Sequence, residues 1–140
     1  MSRTALVTGS AGFIGYFTSQ ALLAQGWNVI GLDAMTDYYD AELKKRRHEM
    51  LSESKNFTAV TERLETPGLL RDLFQQHKFD AVIHLAAQAG VRYSIDAPRS
   101  YVESNLVGTF ELLEAARAFP PAHMLLASTS SVHGANTQMP

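Results

Sequence analysis

Apolar residues along the chain fall into two alternating patterns: short continuous runs bounded by turn residues, and longer stretches at helical spacing. Ala5-Leu6-Val7 is a short run stopped at Thr8-Gly9, and such a run reads as a strand buried on both faces. Over residues 12–25 the apolar positions Phe13, Ile14, Phe17, Ala21, Leu22 and Leu23 recur at helical spacing, and Gly26 closes that helix. Residues 27–32 predict a second strand that ends at Asp33. Asp40 caps a charged helix running to about Ser52, and residues 56–60 form a third, weaker strand. Thr66-Pro67 predicts an N-cap followed by proline at the first helical position, with a helix to about His77. Residues 80–85 are the fourth strand. Ala97-Pro98 opens a long helix with Tyr101, Val102, Leu106, Phe110, Leu113 and Ala116 on its apolar side, and Pro120-Pro121 forbids its continuation. Residues 123–128 are the fifth strand.

Strands that alternate with helices in this way imply an α/β fold with a parallel, doubly wound sheet of Rossmann type. Ligands of such open sheets bind at the carboxyl ends of the strands, so the turns at those ends are where function is sought. Residues 1–140 read as one domain with a single core.

Composition narrows the function classes. With 46% hydrophobic and 19% charged residues the chain is neither disordered nor membrane-like. A formal net charge of −2 gives no nucleic-acid footprint, and the one basic run, Lys44-Lys45-Arg46-Arg47, reads as a solvated helix face. There is no cysteine, so thiolate catalysis and Cys-based metal sites are excluded. The five histidines show no helical ligand spacing, so no metal site is expected; His84, inside an apolar strand, reads as a core histidine. No apolar stretch approaches the roughly 18 residues that span a bilayer. Nor does the N-terminus carry the apolar core of a signal peptide, so a cytoplasmic protein is expected.

The turn Thr8-Gly9-Ser10-Ala11-Gly12-Phe13-Ile14-Gly15 links the first strand to the first helix. Gly9 permits a tight turn, Gly12 lets backbone approach a pyrophosphate, and Gly15 permits close packing of helix on sheet. The helix N-terminus adds free N–H groups and partial positive charge. Asp33 lies 18 residues beyond Gly15, near the spacing of a ribose-binding acid. A carboxylate there accepts from ribose hydroxyls and repels a 2′-phosphate, so NAD is expected over NADP.

These residues resemble the extended short-chain dehydrogenase/reductase superfamily, in its NAD-dependent epimerase/dehydratase branch. Further stretches sharpen the likeness: Gly31-Leu32-Asp33 with Asp37-Tyr38-Tyr39-Asp40, His84-Leu85-Ala86-Ala87-Gln88-Ala89-Gly90-Val91-Arg92-Tyr93-Ser94, Ser104-Asn105-Leu106-Val107-Gly108-Thr109, and Ser128-Thr129-Ser130-Ser131-Val132-His133-Gly134-Ala135-Asn136. Together they look most like UDP-glucuronate 4-epimerases. The resemblance implies inversion at C4 of a UDP-sugar through a 4-keto intermediate. It implies that Gly9, Gly12, Phe13, Ile14, Gly15 and Asp33 hold the cofactor, that Leu85, Ala86 and Ala87 pass along its nicotinamide side, and that Asn105 sits near its phosphates or the catalytic pocket. Thr129 would hydrogen-bond the sugar 4-hydroxyl, with Ser130 near the substrate carboxylate. Thr129 and Ser130 also suit a simple turn cap.

The chain departs from the family pattern in places. Arg63 stands where members carry an Asp at the adenine end, and a guanidinium has only donors, though it can stack. His133 stands where Tyr is common. The Tyr-x-x-x-Lys pair that supplies the general base does not occur in the sequence. The resemblance therefore implies an N-terminal part without the C-terminal substrate subdomain, inactive alone, from a parent that in this family often dimerises through helices matching residues 98–118. Alternatives are a sugar-nucleotide 4,6-dehydratase, which normally needs an Asp-Glu pair where Ser130-Ser131 stand, or a non-catalytic NAD-binding module.

Overall fold

The short apolar runs become strands, and at the centre of the sheet they build both faces are covered, whereas the strand of residues 123–126 at one edge is largely exposed. In the computed structural model, which describes residues 2–135, 137 and 138, the strands are β1 (Thr4–Thr8), β2 (Asn28–Leu32), β3 (Phe57–Val60), β4 (Ala81–His84) and β5 (His123–Leu126). They form one sheet in the order β3-β2-β1-β4-β5, with every neighbouring pair parallel. The helices are α1 (Phe13–Ala24), α2 (Ala41–Leu51), α3 (Leu69–His77), α4 (Tyr93–Asp96), α5 (Pro98–Tyr101) and α6 (Gly108–Ala118).

Successive strand residues point to opposite faces. Leu6, Ile30, Leu32 and Val82 meet Leu70 and Phe74 of α3 and Leu112 of α6 on one side. On the other, Val7, Val29 and Phe57 meet Tyr16 of α1 and Leu51 of α2. The predicted doubly wound arrangement is therefore present.

Three expectations need correction. The helix predicted to start at Pro67 starts at Leu69, because Gly68 takes a left-handed conformation and Leu69 N–H bonds Thr66 C=O across a turn. The single long helix predicted from Ala97-Pro98 is instead α5, a π-helical segment (Val102–Val107) and α6. The chosen apolar side was also the wrong one to bury: Val102, Leu106, Phe110 and Leu113 are exposed, whereas Gly108, Leu112 and Ala115 are buried. Both stripes of this helix are apolar, and α3 takes the one that carries the small residues. The helical spacing predicted for α1 is present; Leu22 and Leu23 pack against the core and Gly15, Tyr16 and Ser19 are buried, while Phe13, Ile14 and Phe17 are exposed. Among the described residues no helix is long and apolar enough to cross a membrane.

Candidate functional site

A groove runs over the carboxyl ends of β1, β2, β3 and β4. Gly9, Gly12, Asp33, Leu85, Ala86 and Ala87 all line it, so the structure gathers six of the sequence-predicted positions in one place. Phe13, Ile14 and Gly15 line an adjoining concavity that shares Gly9, Gly12, Tyr39 and Leu85 with the first.

The floor of the groove is the turn after β1. Gly9 adopts φ +73°, a left-handed conformation that favours glycine, and a Cβ there would come within 3.0 Å of the Ala86 amide nitrogen. At Gly15 a Cβ would overlap the Gly9 carbonyl oxygen and lie 2.9 Å from Ser10 Cα. The missing side chains let α1 start directly against the turn. No side chain caps this helix and no acidic residue lies in its first turn, so its N–H groups and partial positive charge face the concavity unanswered.

Helix α2 braces the turn from above. Asp40 caps it, accepting from the N–H groups of Glu42 and Leu43. Three residues from its inner side reach the turn. Lys44 Nζ lies 3.2 Å from Asp33 Oδ1, with side chains only 9% and 5% exposed. Arg47 Nη1 donates to Ala11 C=O at 3.0 Å, and His48 Nε2 is 2.7 Å from Ser10 Oγ. The basic run is thus not simply a solvated face: Lys45 and Arg46 are exposed, but Lys44 is buried. Helical spacing carries the missed signal. Lys44, Arg47 and His48 stand at i, i+3 and i+4 and share one face, and Asp33 is the carboxylate that needs a partner.

Asp33 itself is 6% exposed. Oδ2 accepts from Ala11 N–H at 3.1 Å, and Oδ1 from Met35 N–H at 2.8 Å and from Lys44. Three of roughly four lone-pair positions are thus taken, and one remains for a hydroxyl in the groove.

The wall formed by β4 is pinned by Thr8. Its Oγ1 accepts from Leu85 N–H (3.0 Å) and Ala86 N–H (3.1 Å) and lies 2.7 Å from His84 Nδ1. With its acceptor positions used, the hydroxyl donates to Nδ1, which assigns the ring proton to Nε2, 3.5 Å from Thr109 Oγ1. His84 is buried, as expected of a core histidine, and burial pushes its pKa below the ordinary value. Burial also depresses His48; Lys44 adds to that shift and Asp33 opposes it.

The remaining predicted residues lie apart. Asn105, in the π-helical segment, does not line the groove; its amide clamps Gln88, accepting from Gln88 N–H at 2.8 Å and donating to Gln88 C=O at 3.1 Å. It fixes the loop that carries Ala86 and Ala87. Thr129 caps a 3-10 turn (Ser130–His133), its Oγ1 accepting from Ser131 N–H at 3.3 Å. Thr129 and Ser130 are exposed beyond β5, and neither lines the groove. Asn136, the last residue of that motif, is outside the described residues. Tyr38 packs on Tyr93 with ring centroids 4.8 Å apart, while Tyr39 lies under the Lys44 ammonium and lines the groove.

Fold and site together define a Rossmann-type domain: a 3-2-1-4-5 parallel sheet, a glycine turn feeding a helix N-terminus, and an acid just past the end of β2. A sequence model of the family described as GDP-mannose 4,6 dehydratase matches residues 6–140, and the chain belongs to that family. It is 50% identical over 135 residues to a probable UDP-glucuronate 4-epimerase of Rhizobium meliloti (strain 1021), covering 96% of this chain and 40% of that protein. UDP-glucuronate 4-epimerase 4 of Arabidopsis thaliana is 48% identical, over 98% of this chain and 31% of its own length. The crystal structure of UDP-glucuronic acid 4-epimerase from Bacillus cereus, in complex with UDP-glucuronic acid and NAD, superposes with a TM-score of 0.87 at 36% identity, covering 96% of this chain and 43% of that one. The chain therefore spans less than half the length of these relatives.

Proposed function

We propose that residues 1–140 are the NAD-binding domain of a sugar-nucleotide epimerase that inverts C4 of a UDP-sugar, with UDP-glucuronate as the substrate. The observation that carries the cofactor is the groove itself: an uncapped helix N-terminus at one point and a buried carboxylate with a spare lone pair at the next. The fit is specific. The glycine turn leaves room where Cβ atoms would stand, the free N–H groups of α1 suit a pyrophosphate, and Asp33 suits a ribose hydroxyl. Lys44 neutralises Asp33 and has further donors to offer a second hydroxyl. Leu85, Ala86 and Ala87 give the nicotinamide side a small, apolar wall whose position Thr8 and Asn105 fix.

NAD, when bound, supplies an acceptor and then a donor of hydride for C4, and inversion requires the sugar to present its other face between the two transfers. Thr129 and Ser130 would orient the sugar, once Thr129 gives up its turn-capping bond or shares it. The relatives' names and the bound UDP-glucuronic acid of the Bacillus cereus enzyme support this substrate. The family description favours a dehydratase, but Ser130-Ser131 offer no carboxylate beside Thr129, which favours the epimerase. The sequence contains no Tyr-x-x-x-Lys pair, so residues 1–140 bind the cofactor and do not turn over substrate alone. The outward face of Leu106, Phe110 and Leu113 suits a homodimer, and a cytoplasmic location agrees with the chemistry of such substrates.

Calorimetric titration of the 140-residue chain tests the cofactor. We expect saturable NAD binding, weaker NADP binding, and on Asp33→Ala a loss of NAD binding together with loss of the preference for NAD over NADP, because the carboxylate that repels a 2′-phosphate is gone. Absence of binding at millimolar NAD overturns the proposal.

A further inference from the structure

The sheet order decides where the loops after β2 and β4 can meet. These two strands flank β1 on either side. Segments that leave their carboxyl ends and touch one another must arch across the carboxyl end of β1, where the glycine turn lies. The two loops do touch. Tyr38, between β2 and α2, packs its ring on Tyr93 of α4 with centroids 4.8 Å apart. Its hydroxyl also lies so close to Gly90 that a Cβ there would overlap it.

The groove passes between the roots of the same loops. Thr36 and Tyr39 line it on the β2 side, and Ala87 and Gln88 on the β4 side. Tyr38, Gly90 and Tyr93 line neither the groove nor the concavity beside it. They join the rims without forming the walls. The β4 side of this bridge is pinned. Asn105 holds Gln88 by both backbone groups, and the Tyr101 hydroxyl donates to Ala89 C=O at 2.9 Å and also meets Gly90 C=O. The joint that can part is therefore the one between Tyr38 and its two partners. Tyr38 and Tyr93 are 42% and 37% exposed, so their contact is weak enough to open and strong enough to slow passage.

We propose that Tyr38 and Tyr93 form a latch over the pyrophosphate end of the groove, which stays closed whether or not a dinucleotide lies beneath it and parts only for passage. The latch rests on the cofactor reading above, and it sets how fast NAD enters and leaves without setting how tightly NAD binds. The same contact is broken for entry and remade afterwards, so its strength cancels from the equilibrium. It slows association and dissociation by one common factor.

Stopped-flow mixing of the 140-residue chain with reduced NAD, whose own fluorescence reports binding, gives the association rate constant; a chase with excess NAD gives dissociation. Loss of one exposed aromatic pair implies that Tyr38→Ala and Tyr93→Ala each raise both rate constants about 2- to 10-fold, with Kd nearly unchanged. Tyr38→Phe keeps the ring and should keep rates close to those of the wild type. The chain has no cysteine, so a Tyr38→Cys, Tyr93→Cys double variant can be bridged selectively by a short bis-maleimide after loading. The bridged chain should hold reduced NAD long after the unbridged chain has released it. Faster dissociation with unchanged association makes the rings ligand contacts and overturns the latch. Unchanged rates in both alanine variants, or equal release from bridged and unbridged chains, overturn it too and leave the cofactor reading standing. Failure of the wild-type chain to bind either form of the dinucleotide overturns the cofactor reading and the latch together.

Discussion

Replacing Lys44 by methionine removes one half of a buried ion pair while keeping the side chain's length and most of its apolar stem. Asp33 is then left buried, with the Ala11 and Met35 N–H groups as its remaining hydrogen-bond partners among the described residues. Breaking a buried pair from one side generally costs about 3–5 kcal/mol, because the desolvated charge stays behind. The two surviving backbone bonds are charge-assisted and hold the carboxylate in place, so the lower end, about 3 kcal/mol, is expected here. Loss of the ammonium from the face of Tyr39 acts in the same direction but adds less. For a domain of this size that destabilisation lowers the melting temperature by roughly 10 °C. Urea unfolding followed by Trp27 fluorescence measures it, since Trp27 packs on the core beside α1. A cycle with Asp33→Asn separates pairing from packing: the double variant loses both charges and should be more stable than the two single losses imply. Coupling of about 1–3 kcal/mol is expected between residues in direct contact. A Lys44→Met chain within about 0.5 kcal/mol of wild type, with no coupling in the cycle, refutes the reading of α2 as a brace and returns Lys44 to the solvated face.

Two further outcomes follow from the same geometry. Burial holds the folded-state pKa values of His48 and His84 below that of an ordinary imidazole, so the unfolded chain takes up protons first as pH falls. The stability that the neutral rings contribute is complete above the unfolded value and is lost as pH drops through it, so urea midpoints should decline from pH 7.5 toward 5.5; a flat profile over that window contradicts the assignment. Gly15→Ala places a Cβ against backbone that cannot yield, and is expected to cost more than about 2 kcal/mol and to abolish NAD binding. Gly26→Ala meets no atom within 4 Å and adds only left-handed strain at φ +83°, about 1–2 kcal/mol with binding intact; equal effects of the two substitutions on binding would discredit the turn geometry.

What the sequence made legible is what local pattern encodes. Ala5-Leu6-Val7 had to be a two-sided buried strand, Gly9 and Gly15 had to mark a turn against a helix, and Asp33 had to close the second strand; the structure has each of these. Misreadings arose where a helix carried apolar residues on both sides. Along the π-helical segment and α6 the larger stripe of Leu106, Phe110 and Leu113 looks like core, but the core packs along Gly108, Leu112 and Ala115, with Leu64 close against Gly108 and α3 against α6, where small residues admit close neighbours. Periodicity cannot decide between two apolar stripes. The size of the residues on each can, because close approach needs small side chains. Charge was misread for a related reason. Lys44-Lys45-Arg46-Arg47 is uniform as text, yet on a helix it spreads around the axis, so that Lys44, Arg47 and His48 turn inward while Lys45 and Arg46 turn out. The partner that fixes this orientation, Asp33, is eleven residues away in sequence and already had a role assigned to it. Asn105 shows the same limit: its clamp on Gln88 spans seventeen residues and depends on a π-helical turn that no local propensity announces. Residues that touch a ligand are found through motifs. Residues that hold those motifs still are found only when the sheet has brought distant segments together, and here they fix where Asp33 and Ala86 stand in the groove.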